Sequence, residues 1–137
     1  MPFITKTDLT DSMYLEDIDT ITENDDTKVD RAIGKAIGEA KFYFDRYDTD
    51  ILFARTDPER DILLVGHCTA LAVWWLCKLC PANQGTKDIT EGAETARRWL
   101  KLVQAAKGTP ENWPLKTEPE RNTFFHVGGF PKRVNNF

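Results

Sequence analysis

The chain has 137 residues, a net charge of −4, and a composition that is 41% hydrophobic, 29% charged and 11% aromatic. That length fits one domain with a core of modest size, and the composition is too apolar for disorder and too polar for an integral membrane protein. The acidic balance excludes a general nucleic-acid binder, which needs clustered Lys and Arg, so neither a membrane nor a sequence-specific nucleic-acid partner is expected.

Charge is unevenly distributed. Residues 1–30 carry nine acidic and two basic side chains, whereas residues 97–137 carry three acidic and eight basic. This polarity suits either an ordinary solvated surface or head-to-tail self-association. Met1-Pro2-Phe3-Ile4-Thr5-Lys6 lacks the basic and apolar regions of a secretory signal, so the chain is expected to stay in the cytosol. Its three cysteines then read as reduced thiols.

In chain order, Thr7 or Asp8 is placed to cap a short first helix, and Leu15 to Ile21 give a second brief apolar turn before Glu23-Asn24-Asp25-Asp26. From Asp26 to Tyr47 the periodicity predicts a long helix, with Val29, Ile33, Ala36, Ile37, Ala40, Tyr43, Phe44 and Tyr47 in one stripe. Gly34, Gly38 and Phe42 fall on a different face, among Arg31, Lys35 and Asp45. Each helical glycine costs roughly 0.5–1 kcal/mol relative to Ala, so this face is expected to be a subunit interface against which a neighbouring helix packs closely.

Asp57-Pro58-Glu59 predicts the start of a second long helix, which runs to Cys80, is stopped by Pro81, and is apolar enough all round to sit centrally. Its run Ile62–Leu79 contains His67, Thr69 and Lys78 and falls short of the ~20 apolar residues of a membrane span. Asp88 and Glu91 resemble a capping box for a third helix with the stripe Ile89, Ala93, Ala96, Leu100 and Val103, ended by Gly108 and Pro110. Arg97, Arg98 and Lys101 are expected on its outer face.

Beyond Gly108 the helical period is lost, and four of the seven prolines lie between Pro110 and Pro131. The expected organisation is a helical body over residues 1–108 and an extended tail over 109–137. Trp113, Phe124, Phe125, Phe130 and Phe137 give that tail too much apolar surface for a flexible linker, so it is expected to bind a partner chain. The fold class is all-α, a small bundle of about three long helices with short N-terminal helices.

Candidate chemistry is sparse. Ser12, His67 and His126 carry no signature of a triad, and Gly128-Gly129 lacks the spacing of a phosphate loop. Asp17, Asp19 and Glu23 start like a calcium loop, but Thr22 and Lys28 stand where Gly and Glu are needed. Cys77-Lys78-Leu79-Cys80 is the one sharp motif, and with His67 and Cys68 it invites a zinc or redox reading. On one straight helix, however, Cys68 and Cys77 point in opposite directions, and small buried thiols account for the pattern. No metal, cofactor or catalytic residue is therefore expected.

Three stretches carry a family resemblance. The opening Phe3-Ile4-Thr5-Lys6-Thr7-Asp8-Leu9, the helix Val29 to Tyr47 with its Asp45-Arg46-Tyr47 turn, and Glu94 to Gly108 with Arg98-Trp99-Leu100 and Lys107-Gly108 resemble the head-tail connector, or head-completion, proteins of Mu-like prophages and related tailed phages. The resemblance covers about residues 3–108; Trp74-Trp75, Cys77 to Cys80 and the tail depart from it. It implies a non-enzymatic, all-helical virion adaptor, assembled in the bacterial cytoplasm, whose copies form a homo-oligomeric ring between the portal protein and tail-side connector proteins. The alternative is a cytosolic zinc- or redox-linked helical module using Cys77 and Cys80.

Overall fold

The computed structural model describes residues 3–56, 58–79, 87–108 and 110–116. Its described residues form six helices: α1 (Lys6–Leu9), α2 (Leu15–Thr22), α3 (Asp26–Tyr43), α4 (Thr49–Leu52), α5 (Ile62–Leu79) and α6 (Lys87–Gln104). The fold is all-α. Three of the helices are 18 residues long, and the main packing is of α5 between α3 and α6.

The two N-terminal helices are four and eight residues long. Thr5, not Thr7 or Asp8, caps α1: Asp8 accepts the Thr5 N–H at 2.8 Å, and the Asp8 N–H donates to the Thr5 carbonyl at 2.9 Å. Helix α2 ends with Glu23 in the left-handed region, and Asn24 follows with φ 62°. The Asn24 N–H reaches the Asp19 carbonyl at 2.9 Å, which completes a Schellman turn. Asp25 then caps α3 by accepting the Thr27 N–H at 3.0 Å.

The stripe on α3 buries Val29, Ala32, Ile33, Ala36 and Ala40. The helix stops at Tyr43, four residues earlier than the periodicity implies, because Phe44 leaves helical geometry at φ −110° and ψ 44°. Phe44 and Tyr47 are still buried, delivered to the core by the turn. Helix α4, capped by Asp48 through the Ile51 N–H at 3.2 Å, follows without a sequence expectation to match it.

Helix α5 starts at Ile62 and not at Pro58. Asp61 provides the cap, accepting the Leu64 N–H at 3.0 Å, while Pro58 and Glu59 lie in a preceding turn; Asp57 lies outside the described residues. Leu64, Cys68, Leu71, Ala72, Val73 and Leu76 are buried, each large aliphatic among them contributing about 1.5–3 kcal/mol. The expectation of an all-round buried helix is corrected at its first turn, where Ile62 is 86% exposed and Leu63 is also exposed. By length and hydropathy α5 passes for a membrane span, yet it is packed on two sides by α3 and α6.

Helix α6 buries the expected Ala93, Ala96, Leu100 and Val103. Its stop is not Gly108. Ala106, at φ 59°, takes the left-handed position, with Ala106 N–H to the Val103 carbonyl at 3.1 Å and Lys107 N–H to the Leu102 carbonyl at 3.0 Å. Arg46 donates to the same Val103 carbonyl at 2.8 Å, placing a guanidinium at the negative end of the helix.

Of the segment expected as an extended tail, residues 110–116 are described. Residues 110–116 run back along the body: Asp48 N–H donates to the Pro114 carbonyl at 2.8 Å, Lys116 N–H to the Arg46 carbonyl at 3.0 Å, and Tyr47 and Leu115 form an isolated antiparallel bridge. The rest of the expected tail, from 117 onward, lies outside the described residues.

Candidate interaction surface

At 3.6 residues per turn, Gly34, Gly38 and Phe42 lie about 180° around α3 from the buried stripe. All three are exposed, Phe42 at 77%. A Cβ built on Gly34 or Gly38 meets nothing within 4 Å, so no neighbour in this chain requires the glycines. Phe42 has an edge contact with the adjacent Tyr43 ring, centroids 5.7 Å apart. The strip is thus smooth for about one turn, from Gly34 to Gly38, and ends one turn later in an exposed phenyl ring.

The lysines beside this strip turn away from it. Lys35 Nζ lies 5.1 Å from the centre of the Trp75 ring, and Lys41 Nζ lies 5.7 Å from that of Phe53. Such contacts are worth about 0.5–1 kcal/mol at exposed sites. Arg31 is exposed at the strip. Lys35 therefore borders the surface and is already engaged within its own chain.

On the Lys35 side, α3, α5 and α6 meet in a cluster that the sequence does not announce. Glu39 accepts the Trp75 Nε1–H at 3.0 Å and two bonds from Arg97, Nε to Oε2 and Nη2 to Oε1, the latter at 3.2 Å. The Arg97 guanidinium lies 4.3 Å from the centre of the Trp74 ring, and Lys78 Nζ lies 5.2 Å from it. Arg97 is consequently half-buried and not on the outer face expected for it. Burial opposes ionisation of Glu39, but Arg97 and the indole N–H outweigh it and hold the carboxyl below its ordinary value. The arrangement is a structural clamp with its tryptophans half-exposed. Its one sequence signal is the pair Trp74-Trp75, whose indole N–H groups need acceptors when partly buried.

Trp113 is another correction. It is 6% exposed and belongs to its own chain's core, with ring centroids 4.9 Å from Phe44, 5.1 Å from Tyr47 and 6.0 Å from Trp99. Its Nε1–H donates to Asp61 Oδ2 at 2.9 Å. The other expected partner-binding residues, Phe124, Phe125, Phe130 and Phe137, lie outside the described residues.

Cys68 and Cys77 are buried, and burial pushes the Cys68 thiol far above its ordinary range. Cys80, the other half of the CxxC motif, lies outside the described residues. His67 stacks on Trp99 at 4.6 Å, and among the described residues no three His, Cys, Asp or Glu side chains converge as a metal site would require. Comparison of the chain with protein-family models, curated proteins and solved structures finds no match in any of the three.

Proposed function

We propose that this protein is a non-enzymatic virion subunit, a head-tail connector whose copies form a ring between a phage portal and tail-side proteins. The observation that carries the reading is the outward strip of α3, where two glycines with open space above them lead to a 77% exposed phenylalanine. Helix interiors disfavour glycine, and a largely exposed phenyl ring gains by being covered, so a closely approaching second helix rationalises both. The opposed charges of the chain's two ends supply the second, different face that a closed ring of head-to-tail contacts needs. The resemblance of residues 3–108 to phage connectors supplies the biological setting.

Electron microscopy of the purified chain, alone and mixed with a portal protein, tests the reading. Rings, or density added as a ring to the portal, are the expected result. A chain that stays monomeric and leaves the portal bare overturns it.

A further inference from the structure

Beside the α1–α2 connection lies an open groove of about 740 Å³, within the size range of small-molecule and peptide side-chain sites. Half-buried Met13, Ile21 and Ile89 give it apolar surface, and exposed Asp11, Asp17 and Asp88 give it charge. No Lys or Arg lines it among the described residues, and none there forms an ion pair with these three carboxylates. Tyr14, 77% exposed, stands at the same groove. A smaller hollow shares Asp88 and Ile89 with it and extends along α5 and α6 past Val73 to Gly92.

What would fill an acidic groove with an apolar lining is a basic segment carrying aromatic rings. The chain has one: residues 121–137 contain Arg121, Lys132 and Arg133, four phenylalanines, and no Asp or Glu. The chain leaves the described body at the end of α6 remote from the groove. Lys116 is bonded to Arg46, and Arg46 to the Val103 carbonyl at the C-terminal end of α6, whereas Asp88 and Ile89 lie at the N-terminal end. At 1.5 Å per residue the two ends are about 20 Å apart along the helix. A donor at one end and an acceptor at the other is the layout of a head-to-tail contact, which closes into a ring when the rotation permits.

We infer that the groove of Asp11, Asp17 and Asp88 receives the basic, aromatic segment 121–137 of a second copy of this chain. The inference rests on the ring reading and deepens it by naming the two surfaces that join. Charge sets the register, because the carboxylates are the groove's only ionic groups among the described residues, and burial of the phenyl rings supplies the affinity.

The test uses the full chain with p-benzoylphenylalanine in place of Phe130, mixed as equal parts of ¹⁴N- and ¹⁵N-labelled protein and irradiated. Peptide mapping is expected to place the cross-link in residues 10–21 or 88–89 of a chain with the other label. In the background Asp11→Asn, Asp17→Asn, Asp88→Asn, its yield is expected to fall at least fivefold. Cross-links confined to one chain, cross-links to another surface, or no cross-link at all overturn the inference. Electron microscopy of the same sample separates the two proposals: rings with cross-links elsewhere leave the connector reading standing and remove the groove. A groove cross-link without rings does the reverse.

Discussion

Arg60 and Asp8, 52 residues apart, form a two-point ion pair, with Nη1 to Oδ2 at 3.0 Å and Nη2 to Oδ1 at 3.4 Å. Arg60 also donates to the Phe3 carbonyl at 2.8 Å, and Asp8 holds the Thr5 N–H. One pair thus fixes the N-terminal segment over the start of α5. Both side chains are largely covered, so removing one partner leaves the other poorly solvated. Arg60→Gln is expected to cost about 2 kcal/mol in urea unfolding. Lys28→Gln, which breaks the exposed 3.6 Å pair with Glu23, is expected to cost under about 0.5 kcal/mol.

Stability is expected to fall with acid in two stages. His67, whose ordinary value is 6.5, is lowered by burial, with Asp61 opposing; folding favours its neutral form, so its contribution is lost as pH drops below about 6.5. Asp8 and Glu39 lie below their ordinary 3.8 and 4.5: burial raises each, and the bonds from Arg60 and Thr5, or from Arg97 and Trp75, together outweigh it. A depressed carboxyl stabilises above its unfolded value and loses that as pH falls through the folded one, which sets a second decline below about pH 4.5. Urea midpoints measured from pH 7 to pH 3 check this. His67→Phe should remove the first stage, and Arg97→Gln should shallow the second.

Trp113 divides a structural role from a partner-binding one. Trp113→Ala empties a site walled by Phe44, Tyr47 and Trp99 and is expected to destabilise the monomer by about 3–5 kcal/mol. Trp113→Phe keeps most of the packing and loses the bond to Asp61, at a cost of about 1–2 kcal/mol. The adjacent Tyr47 hydroxyl is buried without a hydrogen-bond partner among the described residues, so Tyr47→Phe is expected to be neutral or stabilising within about 1 kcal/mol. Thermal and urea unfolding of the three variants measure these effects.

At the end of α6, Ala106 occupies a left-handed position at φ 59° that glycine adopts without steric cost. Ala106→Gly is expected to stabilise the chain by about 0.5–1 kcal/mol, raising the melting temperature by about 2–4 °C. A glycine at Arg98, exposed and inside the helix, is expected to be destabilising by a similar amount. Paired melting curves of the two variants check the sign.

The three long helices were legible because each repeats apolar residues at helical spacing, as Ala93, Ala96, Leu100 and Val103 do. Their boundaries were less so. The start of α5 depends on Asp61 taking the cap that Asp57-Pro58 advertised, and the stop of α6 on Ala106 adopting a conformation that only tertiary contacts such as Arg46 to Val103 secure. The open α3 strip was readable from Gly34, Gly38 and Phe42 because exposure opposite a stripe is a local property. Glu39 with Arg97, 58 residues apart, was not: a helical wheel puts each at the margin of its own stripe, and only the docking of α3 on α6 brings the margins together. Trp113 was misread for the same reason, since proline-rich irregular chain carries no period to tell self-burial from an unpartnered tail.

The glycine strip on α3 gives the sharpest separation of folding from assembly. A Cβ at Gly34 or Gly38 meets nothing within 4 Å, so larger side chains there fit the monomer. Leu exceeds Gly in helix propensity by about 0.6–1 kcal/mol per position, and the double variant Gly34→Leu, Gly38→Leu is expected to match or exceed the parent in helicity and melting temperature. Close approach of a second helix along the strip is a different matter, because two leucyl side chains one turn apart occupy the space its backbone would take. Ring or portal association is therefore expected to fall at least tenfold, while Arg31→Gln at the strip's edge weakens it mildly and in a salt-dependent way. Circular dichroism measured beside sedimentation or electron microscopy decides the point. A double variant that folds and assembles like the parent would make this face ordinary surface, and Phe42 an incidental exposed ring.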